Sequence, residues 1–338
     1  MSKETHVTIR MLRRLILLLA LASILGACGG APASPAGENA PAAKGARTYK
    51  QLVVGFAQIG AESGWRTANT LSIQETAQDL GLELKFADGQ QKQENQIAAI
   101  RGFIAQKVDV IGVSPIVETG WDTVFSEVKA AGIPLILLDR HAKVPDDLFA
   151  AFIGSDFALE GENACKEMAR LLNNKGAIVE LEGTIGSAPA IDRKTGFHNC
   201  LKNYPDMQVL AAQSGDFTHA KGKTVMQAFL KSYGNGITAL YAHNDDMALG
   251  AIEAIEEAGL KPGVDIKIVS VDGVRGAFEA MVAGKLNVTV ECNPLLGPQF
   301  FETALKLANG EAIDKWVKSK EGIYRQDTAK EALPKRAY

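Results

Sequence analysis

The feature that most constrains this chain is an alternation of short apolar runs with amphipathic stretches. It begins near Gln51 and starts afresh after about residue 154. Leu52–Ala57, Glu83–Ala87, Val108–Val113 and Pro134–Leu138 are the kind of run that strands buried on both faces show. Between them, Trp65–Leu80, Gln93–Gln106 and Trp121–Ala130 predict helices, with Gly81 and Gly132 at stop positions. The second series predicts strands over Ala177–Leu181, Val209–Ala212, Ala239–Tyr241, Lys267–Val271 and Asn287–Glu291. Its helices fall over Ala158–Leu172, Ala190–Asn203, Ala220–Ser232, Met247–Glu257 and Arg275–Ala283. Repeated strand–helix units imply parallel strands with crossovers, hence two doubly wound α/β lobes. The roughly 290 residues from Gln51 onward suffice for two lobes of about 100–200 residues each.

Ligands of doubly wound sheets bind beyond the carboxyl ends of the strands, so the loops there are the place to look. They carry Glu62-Ser63-Gly64-Trp65-Arg66, Asp88-Gly89-Gln90-Gln91, Ser114-Pro115, Asp139-Arg140, Gly215-Asp216-Phe217, His243-Asn244-Asp245-Asp246 and Asp272-Gly273, while Ala190-Ile191-Asp192-Arg193 opens a helix. The set offers planar donor forks (Arg66, Arg140, Arg193), carboxylate acceptors (Asp139, Asp272), an amide (Asn244) and aromatic plates (Trp65, Phe217). A sugar needs this mixture. Its hydroxyls both donate and accept, and its C–H faces pack on rings. Helix capping accounts for a lone Asp156 or Asp216, but not for three arginines beside two aspartates. Asp245 and Asp246 suggest a metal site, but solvated carboxylates at a helix N-terminus explain the pair equally well.

Other classes fare worse. The histidines fall in no metal-binding spacing and no GxSxG elbow occurs. Gly222-Lys223-Thr224 lacks the earlier glycine of a phosphate loop. Asp139 and Asp272 as a paired acid and base are disfavoured, because neighbouring arginines depress carboxylate pKa values. No enzyme, cofactor or metal is expected. Three cysteines follow residue 28; Cys165 and Cys200 lie on predicted helices and read as buried thiols, with a bridge between them as the alternative.

The start of the chain combines Arg13-Arg14, an apolar run from Leu15 to Ala27, and Cys28. That run is shorter than the ~20 residues a bilayer span needs. It reads as a secretion signal over 1–27. Leu25-Gly26-Ala27-Cys28 resembles a bacterial lipobox, which makes Cys28 the acylated first residue of an exported, membrane-anchored protein. Residues 28–50, rich in Ala, Pro and Gly, predict a flexible tether. Without the signal, 32 basic and 38 acidic residues remain, a net of −6, and no basic stripe suggests nucleic acid.

Seven segments, in order across about 220 residues, resemble the sugar-binding proteins of bacterial ABC importers, the ribose- and galactose-binding family, and look most like its galactofuranose-binding group. They are Gly60-Ala-Glu-Ser-Gly-Trp-Arg66, Ala87-Asp-Gly-Gln-Gln-Lys-Gln-Glu-Asn-Gln96, Leu138-Asp-Arg140, Ala190-Ile-Asp-Arg-Lys194, Ser214-Gly-Asp-Phe-Thr218, Tyr241-Ala-His-Asn-Asp-Asp-Met247 and Val271-Asp-Gly273. The resemblance implies ligand contacts at Ser63, Trp65, Arg66, Asp139, Arg140, Arg193, Phe217, Asn244 and Asp272. It also implies a three-segment hinge near Gly154–Asp156, Glu291–Asn293 and Trp316–Glu321. The lobes would then be 51–154 plus 293–318, and 155–292 plus 319–338. Ribose-binding relatives have an aromatic in place of Arg66 and a glutamine in place of Cys292, which speaks against plain ribose. A monosaccharide ligand (galactofuranose, with arabinose, xylose, galactose or glucose as alternatives), an ABC permease as partner and a monomeric state follow as expectations. A sensing partner is the alternative; a repressor's effector domain fits poorly with an export signal.

Overall fold

The computed structural model describes residues 46–338. The signal segment, Cys28 and most of the expected tether lie outside the described residues. The last residues of that tether are held in place. Arg47 N donates to Asn309 Oδ1 at 2.7 Å, its guanidinium pairs with Asp109, and Tyr49–Gln51 form a 3-10 turn.

The first half runs β1 (Val53–Gln58), α1 (Gly64–Leu80), β2 (Glu83–Asp88), α2 (Gln93–Ala105), β3 (Val110–Val113), α3 (Asp122–Ala130), β4 (Leu135–Leu138) and β5 (Ala151–Gly154). The second runs α4 (Phe157–Leu172), β6 (Gly176–Glu182), α5 (Ala188–Leu201), β7 (Met207–Ser214), α6 (His219–Tyr233), β8 (Ala239–Ala242), α7 (Asp245–Glu257), β9 (Lys267–Asp272), α8 (Arg275–Val282) and β10 (Val288–Glu291). The chain closes with α9 (Gly297–Ala308), β11 (Trp316–Lys318), β12 (Ile323–Arg325) and α10 (Gln326–Ala332).

Two six-stranded sheets result, ordered β11-β5-β4-β3-β1-β2 and β12-β10-β9-β8-β6-β7. The first is wholly parallel. In the second, β12 runs antiparallel to β10, a departure from the expected parallel sheet. The chain passes between lobes after β5, after β10 and between β11 and β12. The second passage brings α9 back onto the first sheet. There Phe300 meets Phe56 edge to face at 5.3 Å and covers Gly112, where a Cβ would lie 2.4 Å from its ring. Burying one such phenylalanine contributes about 1.5–3 kcal/mol.

Cys165 and Cys200 form a disulfide, which corrects the buried-thiol reading. The reason lies in the helices that carry them. A Cβ on Gly196 would sit 1.9 Å from Ala158 O, and one on Gly161 2.1 Å from Arg193 O, so only glycine lets α4 and α5 pack this closely. The two Cα atoms stand 6.1 Å apart, within bridging range. Cys292 is a buried free thiol.

Candidate functional site

In each sheet the strand order reverses beside the first strand of its lobe, between β1 and β3 and between β6 and β8. Loops after the strands open there. All nine expected residues line one cavity, and Glu62, Pro189 and Cys292 join them.

On the first lobe, Ser63 caps α1, its Oγ accepting from Arg66 N at 3.1 Å. Asp139 has φ 63°, and Arg140 N donates to Leu138 O at 2.7 Å. This tight turn holds two adjacent polar side chains at the cavity, at a backbone cost of about 1–3 kcal/mol. Arg66 is nearly saturated by the protein. Its Nε donates to Glu62 at 3.0 Å, Nη1 to Gln58 and Asn69 at 3.3 Å, and Nη2 to Asp139 at 2.5 Å. Arg140 is less committed: Nη1 donates to Ile116 O at 3.1 Å and Nη2 reaches Glu62 at 3.4 Å. Its Nε and the Glu62 Oε2 are buried without partners. Burial, then the charge of Arg66, pushes Arg140 down to about 10, which leaves it charged at neutral pH. Burial would raise Glu62, but Arg66 and Arg140 outweigh it and hold the carboxyl below its ordinary range. Leaving a buried donor and a buried acceptor without partners is costly.

On the second lobe, the close α4–α5 approach sets Arg193 against Glu160, Nε to Oε2 at 2.7 Å, with the Phe157 ring 5.2 Å from its Cζ. Nη1 donates to His243 O at 2.6 Å and Nη2 lies 3.6 Å from Asp272. His243 is positioned in turn by Glu180, 2.9 Å from its Nε2. Burial alone would raise Glu180, but hydrogen bonds from His198 and His243 bring it down to about 2. Phe217, at φ 60°, lays its ring over Gly183, where a Cβ would come within 1.9 Å. Asn244 caps α7, accepting from Met247 N at 3.1 Å and donating to Phe217 O at 3.0 Å.

Asp272 corrects an expectation. Burial outweighs the attraction of Arg193, and its pKa stands well above the ordinary carboxylate value instead of below it. Its loop is held by Asp245, which is fully buried and accepts from Gly273 N at 2.7 Å, Val274 N at 2.8 Å, Thr289 Oγ1 at 2.9 Å and Ser270 Oγ. The solvated reading of Asp245 is thus overturned. Asp246 also has a fixed partner: its carboxylate accepts from Gly64 N at 3.0 and 3.2 Å, bracing the N-terminus of α1 from the opposite lobe. Other contacts join the lobes: Trp65 Nε1 donates to Cys292 O at 2.6 Å, Glu118 N to Gly186 O at 2.9 Å, and Arg140 Cζ lies 5.3 Å from the Phe217 ring centre. The described conformation is closed.

Sequence reasoning missed Glu62, Glu160 and Asp246. Glu62 had a usable signal, since it precedes Arg66 by one helical turn, the spacing of an i,i+4 ion pair. Glu160 lay unremarked inside a predicted helix, where nothing local marks an inward-facing acid.

Residues 54–312 match the family described as the periplasmic binding protein domain. The galactofuranose-binding protein of Escherichia coli K12 is 48% identical over 290 residues, covering 84% of this chain and 91% of that protein. A Mycobacterium smegmatis structure in complex with β-D-fucofuranose is 52% identical, with a TM-score of 0.82, over 84% of this chain and 94% of the other. The periplasmic component of the arabinose ABC transporter from Shewanella sp. ANA-3, bound to α- and β-L-arabinofuranose, is 47% identical with a TM-score of 0.82, over 84% and 95%. The chain belongs to the periplasmic binding protein family, whose members are exported solute-binding proteins, not enzymes.

Proposed function

We propose that this protein captures a monosaccharide in its furanose form, galactofuranose or a close relative, between its lobes and delivers it to an ABC importer. The observation that carries the reading is that two residues lining the cavity, Arg140 and Glu62, each keep a buried polar atom without a partner, Nε and Oε2. Sugar hydroxyls accept from the first and donate to the second. Asp139, Arg193, Asn244 and Asp272 offer further partners, and Trp65 and Phe217 offer apolar surface. A micromolar complex needs roughly −8 kcal/mol. A few charge-assisted hydrogen bonds of about 1.5–3 kcal/mol each supply it after association costs. The similar proteins support the ring form, since the sugars named with them are galactofuranose, arabinofuranose and fucofuranose.

The lobes in this reading are 51–154 plus 293–318 and 155–292 plus 319–338, and the three passages between them act as the hinge. Sugar partners come from both lobes, so ligand favours the closed state of an open–closed equilibrium. Cys28 carries the lipid that holds the protein at the membrane as a monomer; several acyl chains are required, because one gives only marginal anchoring. Among the described residues no helix is long and apolar enough to cross a membrane.

A thermal-shift screen of the mature protein tests this. Galactose and arabinose, whose solutions contain furanose forms, are expected to raise the melting temperature. At a hundredfold excess over Kd the gain is about 2.7 kcal/mol. Pyranose-locked methyl glycosides are expected to have little effect. If no carbohydrate shifts the transition, or the locked pyranosides shift it equally, the reading fails.

A further inference from the structure

Glu118 and His141 follow β3 and β4 in the first lobe, and α5 of the second lobe brings Asp192 to meet them at the cleft. His141 Nε2 is 3.2 Å from Asp192 Oδ2, and its Nδ1 is 3.6 Å from Glu118 Oε1. The two carboxylates thus stand against opposite nitrogens of one imidazole. Phe152 of β5 meets the ring edge to face at 5.7 Å. Of the neighbouring charges, Arg140 is turned to Ile116 O and Glu62, Arg193 to Glu160 and Lys194 to Glu182. Lys143 acts on Glu118.

We infer that His141, as an imidazolium, is a positioning residue for sugar capture: it ties Glu118 of one lobe to Asp192 of the other and holds the cleft shut. A neutral imidazole carries one N–H. It donates to one carboxylate and presents a lone pair to the other. An imidazolium donates at both nitrogens, so the closed geometry selects the protonated ring. The hydrogen bond to Asp192 raises the His141 pKa most, burial opposes it, and the charges of Asp192 and Glu118 add to the rise. Burial raises Glu118, and the charged ring opposes that.

Opening the cleft withdraws Asp192 and leaves the ring with Glu118 alone. The shut form therefore binds the proton more tightly than the open one. Its advantage is complete below the ordinary imidazole value, about 6.5, and is lost as pH rises through the raised closed-state value. Sugar favours the same form, so sugar and proton tighten each other by the same factor. The His141 and Asp192 side chains are 37% and 32% exposed, so water and salt hold the effect to a few fold. The gain in affinity rests on the sugar-binding reading; the tie between the lobes does not.

Two measurements on the mature protein test the tie. In the first, Val117→Cys and Gly186→Cys place one thiol on each lobe. A Cβ at Gly186 lies 3.8 Å from that of Val117, the spacing of a disulfide, so bridging without sugar reports how often the cleft shuts. At about pH 6 the pair is expected to bridge about fivefold more slowly when His141→Gln is added, and equally fast near pH 9. Comparison at equal pH cancels thiol ionisation, and the strain at Gly186, with φ 81°, is common to both proteins. In the second, calorimetry is expected to show arabinose affinity falling about fivefold from about pH 6 to about pH 9, with proton uptake on binding near neutrality. His141→Gln and Asp192→Asn are expected to reduce both. Equal bridging rates at the acid pH, or a bound sugar whose pH profile His141→Gln leaves unchanged, overturn the tie. Bridging that depends on His141, in protein that binds neither arabinose nor galactose, upholds the tie and overturns the sugar reading instead.

Discussion

Replacing Arg140 by alanine is expected to weaken sugar binding by about 10²–10³-fold while the protein stays folded. Truncating one member of a buried, hydrogen-bonded charge pair costs about 2–5 kcal/mol of binding. Here the loss is specific, since Arg140 lines the cavity with an unpartnered Nε. The fold should tolerate the change. Burial and the neighbouring Arg66 already disfavour the Arg140 charge, and Glu62 keeps Arg66 at 3.0 Å as a partner. Arg140→Lys keeps a charge but lacks the guanidinium fork, so it should recover little of the affinity. Calorimetry beside a melting curve reads both effects. Parent-like affinity in Arg140→Ala would show that the cavity is not where the sugar sits.

Asp272→Ala is expected to lose binding on a similar scale, about 10²–10³-fold, without lowering the melting temperature of the ligand-free protein at neutral pH. The sign follows from linkage. Asp272 has a folded-state pKa above its unfolded value, so the folded state binds its proton more tightly. That contribution to stability is present below the unfolded pKa and is lost as pH rises through the folded one. At neutral pH the buried carboxylate therefore weighs against folding, and removing it relieves that cost. Asp272→Asn, which keeps the shape, is the companion variant. Both should flatten the dependence of melting temperature on pH from the ordinary carboxylate range upward. A large drop in stability at neutral pH would mean that Asp272 holds the loop instead of waiting for ligand.

Much of this was legible in the chain because doubly buried strands are written as uninterrupted apolar runs, and because the rule on strand ends points to definite loops. Where the signal was weak, so was the reading. The helix α9 begins Gly297-Pro298, which reads as loop punctuation, although proline is well placed in a helix's first turn. The edge strands β11 and β12 have three residues each and no apolar run. The Cys165–Cys200 bridge depends on how closely α4 and α5 approach, which Gly161 and Gly196 permit but do not announce. Asp245 and Asp246 look alike in sequence; one turns inward to hold the Asp272 loop and the other reaches across the cleft. Arg66 reads as a free donor, yet Glu62, Gln58, Asn69 and Asp139 occupy most of its hydrogens. That leaves Arg140 as the guanidinium with the most to offer a sugar.

The central claim is that charged side chains from both lobes close over a sugar. Small-angle scattering of the mature protein, with and without saturating arabinose or galactose, tests it most directly. The account predicts a more open particle without sugar, and compaction on binding to a profile matching the closed conformation described here. Identical profiles in both conditions, for a sugar that calorimetry shows to be bound, would contradict it.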